Sequence, residues 1–146
     1  SKAEFLTAVG AAFDVEPTEA TMPSVRGQMT MYLDGEWHLL TPKSVPDDVV
    51  GRLDASVLQN QLLSPILGID NPRTNKRIRF VGGIRGPEAL VKAVDEGSAV
   101  AFHMFPTGMD QLLDVADANR LMPPKSTWFE PKLRGGVIVH AFDATE

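Results

Sequence analysis

From Lys2 to Leu39 the apolar positions change their period, and the change separates the first elements. Phe5, Leu6, Val9, Ala12 and Phe13 recur at helical spacing and form one stripe, so Lys2 to Phe13 reads as an amphipathic helix ending near Asp14. A loop punctuated by Pro17 and Pro23 follows. Met29, Met31 and Leu33 then alternate with Thr30 and Tyr32, and Trp37 and Leu39 alternate with Glu36 and His38, as the side chains of strands do. Asp34-Gly35 stands between these runs. Both residue types tolerate the positive φ of a tight turn, so the segment is a β-hairpin.

Beyond the hairpin, Thr41 to Arg52 is a proline-containing loop, and Asp54 suits the N-cap of a helix from Ala55 to Leu63 that Pro65 closes or kinks. Ile78, Phe80 and Val81 make a short strand, Gly82 to Gly86 a glycine-rich turn, and Pro87 the first position of a helix carrying Leu90, Val91 and Val94 that Gly97 stops. Ala99 to Phe105 is a nearly continuous apolar run, as in a strand covered on both faces. Strand, helix and strand form a βαβ unit, whose strands are expected to be parallel and whose crossover right-handed. Thr107 can cap the next helix, where Met109, Leu112, Leu113 and Ala116 repeat at helical spacing and leave Asp110, Asp114 and Asp117 outward. Pro123-Pro124 ends it, and Val137 to Phe142 supplies a last strand. The expectation is an α+β fold in layers, with a mixed sheet of about five strands, a hairpin, at least one βαβ unit and the order αββαβαβαβ.

Composition narrows what such a domain can do. With 146 residues, residues 1–146 fit one domain, and 43% hydrophobic with 23% charged positions argues against disorder. No apolar run approaches the ~20 residues that span a bilayer, and no leader pattern is evident, which points to a cytoplasmic setting without a membrane partner. The absence of cysteine excludes disulfides, thiolate zinc sites and a cysteine nucleophile. A net charge of −5 makes nucleic acid an unlikely partner for the domain as a whole, although a local basic patch stays open. The chain enters a helical pattern directly from Ser1-Lys2, as an excised piece of a longer protein would.

Candidate chemistry lies in loops. Gly83 and Arg85, in the Gly82 to Gly86 turn between a strand and a helix, could bind an anion at a helix start; the spacing is neither a P-loop nor a dinucleotide fingerprint, and a tight turn accounts for the glycines equally. Upstream, Arg73, Lys76, Arg77 and Arg79 form a cluster that is either a site or a solvated face. Lys125, Ser126, Thr127, Lys132 and Arg134 could form a cup for a phosphate or carboxylate, around a loop held by Trp128 and Phe129. The competing reading is that Pro123, Pro124, Trp128, Phe129 and Pro131 lace a long crossover onto the sheet, with the charges in water. Asp110, Asp114 and Asp117 share one helix side but read as an acidic face, not a metal site, and His38, His103 and His140 lie apart in predicted strands. No catalytic signature appears, so catalytic residues and cofactor stay unassigned.

Met31-Tyr32-Leu33-Asp34-Gly35 with Trp37, the stretch Arg52 to Gly86, and the stretch Asp114 to Gly136 (DVADANRLMPPKSTWFEPKLRGG) carry a resemblance across nearly the whole chain. In this order they resemble the carboxy-terminal part of the prokaryotic proteins grouped as domain-of-unknown-function family 1015. The resemblance implies a two-part molecule of which this chain is roughly the last third, loosely labelled ParB-like. It also implies an upstream Asp-Gly-His-His-Arg motif similar to the ParB and sulfiredoxin-like nucleotide site, absent from these residues. The expectation that follows is an accessory domain, not catalytic alone, that meets its upstream domain and completes a nucleotide or phosphorylated small-molecule site of a nucleotide-dependent parent enzyme. The alternative is a dimerisation or protein-interaction domain anchored by Trp37, Trp128 and Phe129, and a third reading is a DNA-partitioning accessory module.

Overall fold

The computed structural model of the chain describes residues 1–127. Helix α1 (Lys2–Ala12) begins where the Ser1 hydroxyl accepts a hydrogen bond from the Glu4 amide at 3.3 Å, which satisfies a free donor of the first turn. It buries Val9 and lays Phe5, Leu6 and Ala12 against the core. Phe13 then turns to extended backbone and opens strand β1 (Phe13–Pro17), in place of the expected loop. Phe13 and Val15 face the core while Asp14 and Glu16 face water, and Pro17, with no N–H to donate, ends a strand at the sheet's edge.

Strands β2 (Met29–Leu33) and β3 (Glu36–Pro42) form the expected hairpin. Asp34 and Gly35 both have positive φ, 51° and 84°, which is the backbone that a two-residue turn needs to match the strands' twist. Tyr32 lies opposite Trp37, with ring centroids 5.0 Å apart, and this pair closes the hairpin next to its turn. Helix α2 (Asp54–Leu58) runs into a π turn at Gln59–Leu63, whose amides tie down neighbouring loops: Gln59 Nε2 donates to the Ile69 carbonyl at 2.7 Å, and Gln61 Nε2 to that of Ser44 at 2.8 Å. Leu53, not Asp54, occupies the cap position, and Asp54 is the first helical residue.

A 3-10 turn (Gly83–Arg85), helix α3 (Glu88–Asp95), strand β4 (Ala101–Met104) and helix α4 (Met109–Asp117) complete the described chain. Its strands lie in the order β1-β3-β2-β4, and every pairing is antiparallel. Four strands are therefore present among the described residues, in the order αβββααβα; the sheet they form is wholly antiparallel, and the expected parallel βαβ unit between Ile78 and Phe105 does not form. Residues 78–81 are not a strand: Ile78 packs on the core, Phe80 is 45% exposed, and β4 already occupies the side of β2 left free by the hairpin. A short apolar run becomes a strand only where a neighbour completes its ladder. The predicted strand Val137 to Phe142 lies outside the described residues.

All of β2 is buried, because the sheet is covered on both faces. Met29, Met31, Leu33 and Leu40 meet α1 and the α2 region in the main core, joined by Phe102 and Met104 of β4. On the other face Thr30 stands beside His103, and both reach the Thr21 carbonyl, Thr30 Oγ1 at 3.0 Å and His103 Nδ1 at 2.9 Å. This staple fixes the loop that carries Arg26. Among the described residues no helix is long and apolar enough to cross a membrane.

Candidate functional site

At the end of the sheet where β2 begins and β3 finishes, a cleft of about 460 Å³ opens between the Arg26-Gly27 loop, Val45, the start of α2 and helix α4. Its floor is apolar, with Met29, Pro42 and Val57, and its walls carry Arg26, Arg52, Asp54, Asp110, Gln111 and Asp114. Small-molecule sites commonly combine an apolar body with a few converging polar groups in a volume of this order.

Helix α4 sets one wall, and it is oriented differently from the expected stripe. Gln111 and Val115 point inward, whereas Met109 and Leu113 are 65% and 55% exposed. The helix starts at Gly108, not Thr107, and the Gln111 side-chain oxygen accepts from the Gly108 amide at 3.1 Å. Asp110 receives both terminal nitrogens of Arg26, at 2.7 and 3.0 Å, and one helical turn on Asp114 accepts from Arg52 Nη2 at 2.6 Å. Arg120, past the helix end, reaches Asp48 at 3.4 Å. Ion pairs therefore select the orientation that the apolar repeat alone does not. A side chain at Gly108 would meet the Asp110 carboxylate and the Arg26 guanidinium, so the ends of these two flexible side chains would have to shift to admit it.

The charges of the cleft are unequally satisfied. The Arg26 hydrogen bonds hold the Asp110 carboxyl below the usual carboxylate range. Asp54 is shifted upward, because burial costs its charged form more than the Gly27 amide, at 3.2 and 3.3 Å, and the more distant Arg26 return. Arg52 spends one terminal nitrogen on Asp114, and its remaining side-chain N–H groups make no hydrogen bond among the described residues. Gln111 is only 8% exposed, yet its Nε2 likewise donates to no described residue. Open donors and an under-compensated carboxylate thus share one cleft.

The residues singled out from sequence lie elsewhere. Gly83 and Arg85 are exposed in the 3-10 turn, and Arg73, Lys76, Arg77 and Arg79 are exposed upstream of it. Lys125 is exposed with φ 63°, the Ser126 hydroxyl donates to the Pro123 carbonyl at 2.8 Å, and Thr127 is exposed; none of these lines the cleft. Lys132, Arg134, Trp128, Phe129 and His140 are outside the described residues. Trp37 is half-buried against Tyr32, and His38 is buried in β3. Arg26 and Arg52 escaped notice because their partners are 84 and 62 positions away, and no local pattern marks such a pair. Compared with protein-family models, with curated proteins and with solved structures, the chain has no match in any of the three.

Proposed function

We propose that this chain is an accessory domain that holds a phosphate-bearing small molecule, such as a nucleotide, in the cleft beside α4, and that it works together with an upstream domain of a larger protein. The observation that carries this reading is the presence in one cleft of an arginine, Arg52, and a half-buried carboxylate, Asp54, the first with donors to spare and the second without a contacting cation among the described residues. Arg52 and the free Gln111 amide suit a phosphate, and Asp54 suits a ligand hydroxyl such as that of a ribose. The pairs Arg26–Asp110 and Arg52–Asp114 are half-exposed, so opening one for a ligand costs only about 0–1 kcal/mol. The resemblance to the carboxy-terminal part of family 1015 adds the upstream domain and the nucleotide class.

The test is thermal unfolding of the chain with magnesium against nucleotides, sugar phosphates and inorganic phosphate. A ligand of the native state raises the midpoint by mass action, and the shift should vanish in Arg52→Ala. No shift with any phosphate-bearing probe sinks the reading. A shift that survives Arg52→Ala but is lost in Lys125→Ala or Lys132→Ala moves the anion to the Lys125 to Arg134 segment. Duplex DNA at low salt is the control for the partitioning reading, which needs binding there.

A further inference from the structure

The stretch 71–87 contains Arg73, Lys76, Arg77, Arg79 and Arg85 and no acidic residue, in a chain of net charge −5. All five are exposed, and none takes part in an ion pair among the described residues. Elsewhere, Lys2, Arg26, Lys43, Arg52, Lys92 and Arg120 are each within ion-pair distance of a carboxylate. The loop is not without order. Arg77 donates to the Leu67 carbonyl at 2.8 Å, and the side chains of Asn71 and Asn75 accept from the Arg73 and Arg77 amides at 3.0 and 2.9 Å. The cations are thus presented from a defined backbone. Phe80 beside Arg79 is exposed, and Ile84 beside Arg85 is 88% exposed. The whole is a cationic surface with apolar anchors.

Helix α4 offers the complementary surface. It carries Asp110, Asp114 and Asp117 and no basic residue, and its outward side chains include Met109 and Leu113. Asp117 has no ion-pair partner among the described residues, and Asp110 and Asp114 keep about half of their surface in water despite their arginines. Apolar residues flanked by acids on one copy match apolar residues flanked by arginines on another, which an interface needs in both its anchors and its charges.

We infer that a second copy of this chain is the partner of the loop: Arg79, Phe80, Ile84 and Arg85 of one molecule dock on Met109, Leu113 and Asp117 of the next. The contact joins unlike surfaces, so it either closes into a ring or continues as a chain, and its charges make it salt-dependent. This does not rest on the small-molecule reading, since none of these docking residues lines the cleft.

Light scattering on the purified chain tests it. At low salt the weight-average mass should rise with concentration above 15.9 kDa, and it should fall back at about 0.5 M salt, where charges are screened within a few ångströms. Arg79→Glu with Arg85→Glu should give a monomer, and so should Leu113→Lys with Asp117→Lys. Mixing the two variants should restore association, because acidic loop then meets basic helix and basic loop meets acidic helix. Circular dichroism of each variant checks that it is folded, as expected of changes at exposed positions. A chain that stays monomeric at low salt, association indifferent to either double substitution, or no recovery in the mixture overturns the inference.

Discussion

In the cleft, Arg26 and Arg52 are each held by an aspartate of α4, 84 and 62 positions away, while in the 71–87 loop five cations stand within one short stretch and none forms an ion pair among the described residues. The difference shows what ion pairs do in this molecule. In the cleft they choose between faces of a helix whose apolar residues do not settle the matter, and they leave one arginine with donors to spare. In the loop no described carboxylate pairs with the cations, and Phe80 and Ile84 stand exposed beside them. The first region is built by folding and is suited to a small ligand; the second is built by local sequence and is suited to a large partner.

The strongest way to break the comparison is to remove the wall of the cleft. Val115 is 1% exposed and is one of the few α4 side chains that are buried. Val115→Asp, which sets a charge beneath the helix, should lower unfolding free energy by about 3 kcal/mol in urea titrations and speed hydrogen exchange of the α4 amides. A loss below ~1 kcal/mol would mean that α4 is hardly docked. By contrast, Arg79→Glu with Arg85→Glu should shift stability by no more than about 0.5 kcal/mol, since neither residue pairs with anything described.

A finer test compares the two cleft arginines. Arg26→Ala and Arg52→Ala should each lower stability only slightly, and a double-mutant cycle of Arg26 with Asp110 should show weak coupling that fades in high salt. Coupling that is unchanged in high salt would argue against an exposed pair.

Protonation separates Asp54 from its neighbours. Its folded pKa is raised, so the stability it contributes is present below its ordinary value of 3.8 and is lost as the pH rises through the folded value. Asp110 behaves oppositely: its folded pKa is lowered by Arg26, so its contribution is present above 3.8 and is lost as the pH falls through the folded value. Arg26, Arg52, Asp110 and Asp114 all face the cleft with Asp54. Asp54→Asn, which can still accept from Gly27, should therefore gain stability over the native chain as the pH rises from 3.8. A difference that shrinks with rising pH would show that Asp54 is not strained by burial. Gly108→Ala should cost no more than about 1 kcal/mol in urea titrations, because the flexible ends of Asp110 and Arg26 can move aside.

The hairpin was legible because its signals are local: strict alternation on both arms and an Asp34-Gly35 turn whose positive φ values only a few residue types accept. The start of α1, and α3 between Pro87 and Gly97, were legible for the same reason. β1 was hidden because Phe13 fits both the helical stripe before it and the alternation after it, and only pairing with β3 decides between them. Residues 78–81 failed in the opposite way, with strand-like composition but no ladder formed with any described strand. Asp54 looked like a helix cap and became a half-buried acceptor for Gly27, a residue 27 positions earlier.

The amino-acid sequence by itself determined the start of α1, the tight hairpin, α3 and the concentration of positive charge in the 71–87 loop, because propensity, turn geometry and contiguous charge act over a few residues. Which strands pair, which face of α4 is buried and how Arg26, Arg52, Asp54 and Gln111 come to line one cleft were decided only by the tertiary structure. Those outcomes depend on contacts between residues far apart in the chain, and on the burial that raises the Asp54 pKa, neither of which exists until the sheet and its covering layers have assembled.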